Sequence, residues 1–296
     1  MKKFQVNILI LCLLLGNYAT ALTGQDLDSL LNAEFGSDDP TYPTLFRSPT
    51  IANGHSVAML PSRTLDWRIE HRFGELNSGV YELFGLDQAN IHFSFEYGIT
   101  DWLNAGFGRG TYEKTYDGFI KIRPLQQTGG SKVVPVSLVL QSGVYMNTLR
   151  FVGELPDYSF QQRLEYVQQI MLGRNFGDWL TLQLMPTYLH RNPNPSIPEQ
   201  SDLFALGSGL SVRITNGLSI NIEYFHLLNR DSSIGGSTLY NPLSIGFDLA
   251  TGGHVFQLIF TNSTAMTEHG IIGNTTGNWL DGDIHFGFNI SRVFQL

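Results

Sequence analysis

Apolar and polar positions alternate one for one along Ala89–Arg109. Ile91, Phe93, Phe95, Tyr97 and Ile99 occupy one phase and His92, Ser94, Glu96, Gly98 and Thr100 the other; after Asp101 the pattern resumes with Leu103, Ala105 and Phe107. Successive side chains on a strand point to opposite faces. The stretch therefore predicts two strands joined by a tight turn, with one aromatic and aliphatic face and one face carrying His92, Glu96, Asn104 and Gly106. Upstream, Leu65, Trp67, Ile69 and Phe73 alternate with Asp66, Arg68, Glu70 and Arg72. Nine further strands are predicted near Asp117–Arg123, Val134–Val144, Arg163–Arg174, Trp179–Tyr188, Phe204–Thr215, Leu218–His226, Leu243–Leu249, Val255–Asn262 and Ile284–Phe294, which makes twelve.

The connections sort into two kinds that alternate along the chain. Short joins fall at Thr100-Asp101, Phe176–Asp178, Asn216-Gly217 and Thr251–Gly253, with Pro124–Lys132 an intermediate one on the same side. Long joins fall at Gly74–Gln88, Gly110–Tyr116, Tyr145–Phe160, His190–Asp202, Leu227–Tyr240 and Ser263–Gly282. Bacterial outer-membrane barrels have short periplasmic turns and longer outer loops, and a soluble β-sandwich has no reason to sort its loops this way. The predicted fold is all-β: a transmembrane, antiparallel, up-and-down β-barrel of about 12 strands. Trp67, Tyr97, Trp102, Trp179, Tyr188 and Trp279 fall near strand ends, where aromatic girdles form.

Composition agrees. Charged residues make up 15% of the 296, with 31 glycines and 20 phenylalanines, a profile of many turns and an apolar surface. A mean hydropathy near zero does not oppose a barrel, because lipid-facing and lumen-facing residues cancel in the average. The formal charge of -8 leaves no basic patch for nucleic acid. Residues 1–21 read as a cleaved secretory signal, with Lys2 and Lys3, an apolar Ile8–Leu15 and the small-residue pattern Ala19-Thr20-Ala21. The only cysteine, Cys12, leaves with it, so neither a disulfide nor a thiolate site is expected. The expected location is the bacterial outer membrane, with lipid around the barrel.

Leu22–Pro61 lacks strand grammar. Asp26–Phe35 predicts a short amphipathic helix that Asp38-Asp39-Pro40 ends. The simpler reading is an N-terminal periplasmic extension, able to engage a periplasmic partner; the sharper one is a plug entering the lumen. The barrel domain is expected to span 62–296.

Four runs carry a resemblance: Asn53–Val57, His71–Gly74, Phe84–Ile91 and Tyr112–Gly118. They resemble an uncharacterised bacteroidete family catalogued as a domain of unknown function and described as β-barrel, membrane-associated or secreted. The resemblance implies fold and compartment. It lends no catalytic role to any residue.

The same runs mark where binding chemistry is expected. Arg68, Glu70, Arg72 and Glu96 on lumen-facing positions, with Asp87, Gln88, Arg109, Tyr112, Glu113, Lys114, Tyr116 and Asp117 near the outer strand ends, form a candidate polar cluster of the lumen and mouth. A charged strand face is cheap in water and costly in lipid, so a wet interior is expected. Arg123, Arg163, Glu165, Arg213 and Glu223 join the expected lumenal set, whose mixed charge suits ion pairing as readily as ion selection. The eight histidines form no His-x-x-x-His or Glu-x-x-His pair. Gly207-Ser208-Gly209 sits in a strand pattern and not ahead of a helix, and neither a Walker nor a dinucleotide fingerprint occurs. Hence no metal, cofactor or catalytic residue is predicted. The expected function is a narrow channel or a scaffold for a small solute, with a partner-docking barrel and an outer-membrane hydrolase as alternatives.

Overall fold

The computed structural model describes residues 46–130, 132–150, 159–192, 200–230 and 238–296; the expected signal and the helix expected at Asp26–Phe35 lie outside them. Twelve strands appear: β1 (Thr64–Glu75), β2 (Ala89–Thr100), β3 (Leu103–Gly110), β4 (Tyr116–Leu125), β5 (Ser137–Met146), β6 (Leu164–Phe176), β7 (Leu180–Arg191), β8 (Asp202–Arg213), β9 (Leu218–Leu227), β10 (Leu243–Thr251), β11 (His254–Thr261) and β12 (His285–Gln295). Each pairs antiparallel with its sequence neighbours, and β1 pairs with β12 from Thr64↔Gln295 to Glu75↔His285, closing the barrel. Closure leaves no open edge, which is the condition for strands to reside in lipid. β5 starts at Ser137, later than the expected Val134, because Val134 instead bridges Thr128 within the turn.

The turns on the short side fit their sequences. Gly252 and Gly253 both adopt positive φ (51° and 84°), which allows a two-residue link between β10 and β11. The last residue closes against the same end, where Leu296 N–H donates to the Arg63 carbonyl at 2.9 Å. An α-helix, α1 (Glu268–Gly273), lies in the long β11–β12 connection, and all six of its residues are buried.

Side chains alternate as the pattern requires. Phe93, Phe95, Phe107, Leu182, Leu184 and Phe256 point outward and are exposed, forming part of the apolar band. Trp67, Trp102 and Trp179 are exposed near the short-turn end, and Tyr188 stacks on Phe204 at 5.0 Å near the other. The interior departs from the expected wet, charged lining. Its β1–β4 side is polar and charged, but β5–β9 send Val139, Val167, Met171, Met185, Leu189, Leu203 and Phe225 inward, where they are fully buried. These residues form one hydrophobic cluster with Phe46, Ile51 and Val57 from before β1 and with Ile271 and Ile272 of α1.

Candidate functional site: a lumen filled from both ends

Residues 46–61 lie inside the barrel. Phe46, Ile51, Ala52, Val57 and Leu60 are buried, and the chain doubles back in a hairpin, with Thr50 bridging His55 and Ile51 N–H donating to the Gly54 carbonyl at 2.9 Å. Both arms start from the short-turn end. Arg47 donates to the Asn216 carbonyl at 2.5 Å in the β8–β9 turn, and Ser62 N–H donates to Asp101 Oδ1 at 2.9 Å in the β2–β3 turn. Strand glycines make room for the hairpin's side chains. A Cβ at Gly209 would stand 2.3 Å from Ile51 Cδ1, and one at Gly173 would stand 2.5 Å from Val57 Cγ2. Gly209, read from sequence as part of a strand pattern, is thus the wall against which Ile51 sits.

A hairpin outside any sheet must satisfy its buried backbone elsewhere. Here lumenal side chains do so. Glu223 on β9 accepts N–H bonds from Ala52, Asn53 and Gly54, the shortest 2.8 Å from Gly54 to Oε2. Arg72 on β1 donates to Asn53 Oδ1 at 2.7 Å and to the Ala52 carbonyl at 3.2 Å. Asn289 on β12 reaches the Ala52 carbonyl and Gln257 on β11 the Ile51 carbonyl, each at 2.9 Å. Gln183 on β7 accepts from Val57 N–H at 2.7 Å and donates to the His55 carbonyl at 2.9 Å. Lys121 on β4 donates to the Ala58 carbonyl at 2.8 Å, and Ser244 on β10 accepts from the Asn53 amide at 2.9 Å. Seven strands therefore hold one short segment.

Around it the charged half pairs internally. Asp66 and Arg68 meet at 2.5 Å. His92 lies between two carboxylates, with Nδ1 2.5 Å from Glu70 and Nε2 2.8 Å from Asp117. Glu96 accepts from Asn104 at 2.8 Å and stands 3.5 Å from the Lys121 ammonium. Buried charge persists only when paired in this way.

From the other end α1 folds inward. Ile271 and Ile272 join the apolar cluster, and Arg191 on β7 donates to Asn274 Oδ1 at 2.5 Å just past the helix. Glu268 joins this loop to the hairpin, since its carboxylate accepts His55 N–H and the Tyr145 hydroxyl, both at 2.9 Å. Burial raises the Glu268 carboxyl and pushes the His55 and His269 imidazoles down to about 3. The 3.8 Å approach of His55 Nε2 to Glu268 is accordingly a contact of a neutral ring, not an ion pair. Thr267, His269 and Tyr112 line a water-sized cavity of about 10 Å³ beside His92 and Asp117. At the long-loop end a depression of about 310 Å³ is lined by Glu75, Gln88, Asn90, Thr264 and His285 among others.

The residues expected in one polar cluster divide four ways. Arg68, Glu70, Arg72, Glu96 and Asp117 face the lumen and are buried, Arg72 completely. Tyr112 is partly buried against the apolar cluster, and Glu113 accepts from Asn274 at 3.3 Å, so both face the α1 loop. Asp87, Gln88 and Lys114 are exposed in the long loops; Gln88 borders the mouth depression, and the Lys114 carbonyl accepts from Thr148 at 2.5 Å. Arg109 and Tyr116 do not belong to the cluster. Arg109 pairs in register with outward-facing Phe93 and Tyr116 with Arg109, and the guanidinium lies 5.3 Å over the Tyr116 ring on the outer surface. Strand parity decides this: both fall on the phase opposite to His92 and Asp117. Of the further expected lumenal charges, Arg123 and Arg163 sit at the rims, donating to the Asp101 and Leu149 carbonyls at 2.6 and 2.8 Å. Sequence reading missed Lys121, Gln183, Asn289 and Glu268 as a set. The first three lie on inward phases, but only closure brings them to one segment.

The family model described as membrane bound beta barrel domain (DUF5777) matches residues 46–294, the hairpin included. Among solved structures, the chain is similar to an outer membrane channel from Pseudomonas putida F1, at 12% identity and a TM-score of 0.51, over 84% of this chain and 99% of that one. It also matches the NanC porin at 9% identity, TM-score 0.48, over 78% and 100%. The outer membrane phospholipase A of Escherichia coli matches at 11% identity, TM-score 0.42, over 80% and 94%. At such identities the likeness is one of fold. Among curated proteins none matches the sequence.

Proposed function

The chain belongs to this family of membrane-bound β-barrel domains, and we propose that it is an outer-membrane channel for small solutes held shut by its own N-terminal hairpin. The observation that carries this reading is the grip of seven strands on residues 51–58, which turns the polar lumen lining into a lock. Both arms of the hairpin begin at the short-turn end. It can therefore withdraw as a loop toward that side without unthreading. With short turns periplasmic, a periplasmic partner gripping the chain before Phe46 would draw the hairpin out. Glu268 makes release a two-part event, because α1 and the hairpin share that carboxylate. A hydrolase reading gains nothing from His92: both ring nitrogens face carboxylates, which leaves neither free to take a proton from a serine hydroxyl.

The test is planar-bilayer conductance of the refolded full chain. The native barrel is expected to be silent at rest. Ile51→Arg and Ile271→Arg together place charges in the apolar cluster and unseat both inserts, and steady conductance is expected. Native conductance at rest, or silence of the double variant with heat-modifiable migration showing a folded barrel, would sink the proposal.

A further inference from the structure

We propose that the vacated lumen is a binding site for a short peptide that turns back on itself, read through its main-chain amides, and that the hairpin occupies this site as an internal mimic. The inference rests on the plug reading above and adds the class of cargo. Three features carry it. First, the lumen addresses the hairpin mainly through its backbone. Carbonyls of Ile51, Ala52, His55 and Ala58 and N–H groups of Ala52, Asn53, Gly54, His55 and Val57 all end on side chains of the barrel or of α1. Such contacts recognise an amide chain and are nearly indifferent to its sequence.

Second, Gln183 bonds the His55 carbonyl and the Val57 N–H, which flank one residue. A residue of a parallel neighbouring strand makes this pair of bonds, so the Gln183 amide stands in for one rung of a sheet. Glu223 receives three consecutive N–H groups, the concave arrangement with which a turn of backbone holds an anion. Third, the apolar wall receives side chains at fixed places. Gly209 and Gly173 open niches filled by Ile51 and Val57. A sugar chain has hydroxyls for the polar groups but no aliphatic branches for these niches, so the combination favours a peptide with small apolar side chains.

The experiment uses the full-length chain in detergent with Cys12→Ser, and Ser56→Cys as a reporter of hairpin withdrawal. Ile51→Arg is expected to make the otherwise fully buried position 56 react with a maleimide. Binding is then measured by fluorescence anisotropy with a labelled, end-capped peptide of sequence Ala-Val-Ala-Gly-Ala-Val-Ala. The Ile51→Arg chain is expected to bind at least about tenfold more tightly than the native chain. Adding Glu223→Gln should weaken that binding by about tenfold or more, as loss of charge-assisted hydrogen bonds implies. An equal excess of maltohexaose should not displace the peptide. If position 56 labels but the peptide does not bind, or maltohexaose displaces it equally, the cargo inference is overturned and the plug stands. If position 56 stays unreactive in the folded Ile51→Arg chain, the plug reading itself fails. Should Ile51→Arg not fold, Gly54→Glu serves in its place, since a Cβ there lies 3.2 Å from Glu223 Oε2 and the added carboxylate opposes it.

Discussion

Replacing Glu223 by glutamine tests the lock at the point where most bonds converge. In the native chain Oε2 accepts from Ala52, Asn53 and Gly54 at 3.3, 3.4 and 2.8 Å, and Oε1 accepts from Asn53 at 3.3 Å, in a residue 2% exposed. Glutamine keeps the shape. It also turns one oxygen into an NH₂ that faces an N–H donor and leaves the other as a neutral acceptor. Hydrogen bonds to a charged group contribute about 1.5–3 kcal/mol and neutral ones about 0.5–1.5, a difference of about 1–1.5 per bond. Because the Ala52 and Asn53 bonds are long and count for less, the loss over the three donors comes to about 2–4 kcal/mol. At 1.4 kcal/mol per factor of ten, the fraction of time the hairpin spends withdrawn rises about 30- to 700-fold. The rate of maleimide reaction at Ser56→Cys, in a chain with Cys12→Ser, follows that fraction when reclosure outpaces labelling. A rate within about threefold of the reference, in a barrel that still shows heat-modifiable migration, would refute the assignment of Glu223 as the grip on the tip.

Gly209→Val drives a Cβ to within 2.3 Å of Ile51 Cδ1 and leaves the strand able to pair, so position 56 should label at least about tenfold faster while the barrel persists. Lys121→Ala strands the buried Glu96 carboxylate and the Ala58 carbonyl, and a loss of about 3–5 kcal/mol is expected in the unfolding free energy measured by urea titration. Lys121→Ala combined with Glu96→Gln should recover much of that loss; no recovery would show that the pair is not coupled. Docking of α1 should depend on pH through Glu268. Its carboxyl is raised by burial, so the docked state binds the proton more tightly. Docking is then strongest below the ordinary value of 4.5 and weakens as pH rises through the raised value. Conductance of Ile51→Arg should climb with pH across that window and Glu268→Gln should flatten the climb; a profile unchanged by Glu268→Gln would remove this carboxyl from the gate.

Strand content, strand count and topology were legible in the letters because they are set locally and by lipid. A period of two writes itself into Trp67, Phe93 and Phe107 on one face and Arg68, His92 and Asn104 on the other, and lipid enforces the outer phase of every strand. The same parity, followed strictly, would have excluded Arg109 and Tyr116 from the mouth. The interior was not legible. Val139, Val167 and Met185 carry the inward phase of strands whose outward phase is equally apolar, so the alternation fades there and a filled half reads like a weak strand. Least legible was the Phe46–Pro61 hairpin, which has no period because its partners are side chains of seven strands up to 237 residues away in sequence. The sequence by itself determined a closed antiparallel barrel with an apolar outer surface, since each residue's phase is fixed by its neighbours. Only the tertiary structure decided what fills the lumen, because burial inside a barrel depends on which side chains closure brings face to face.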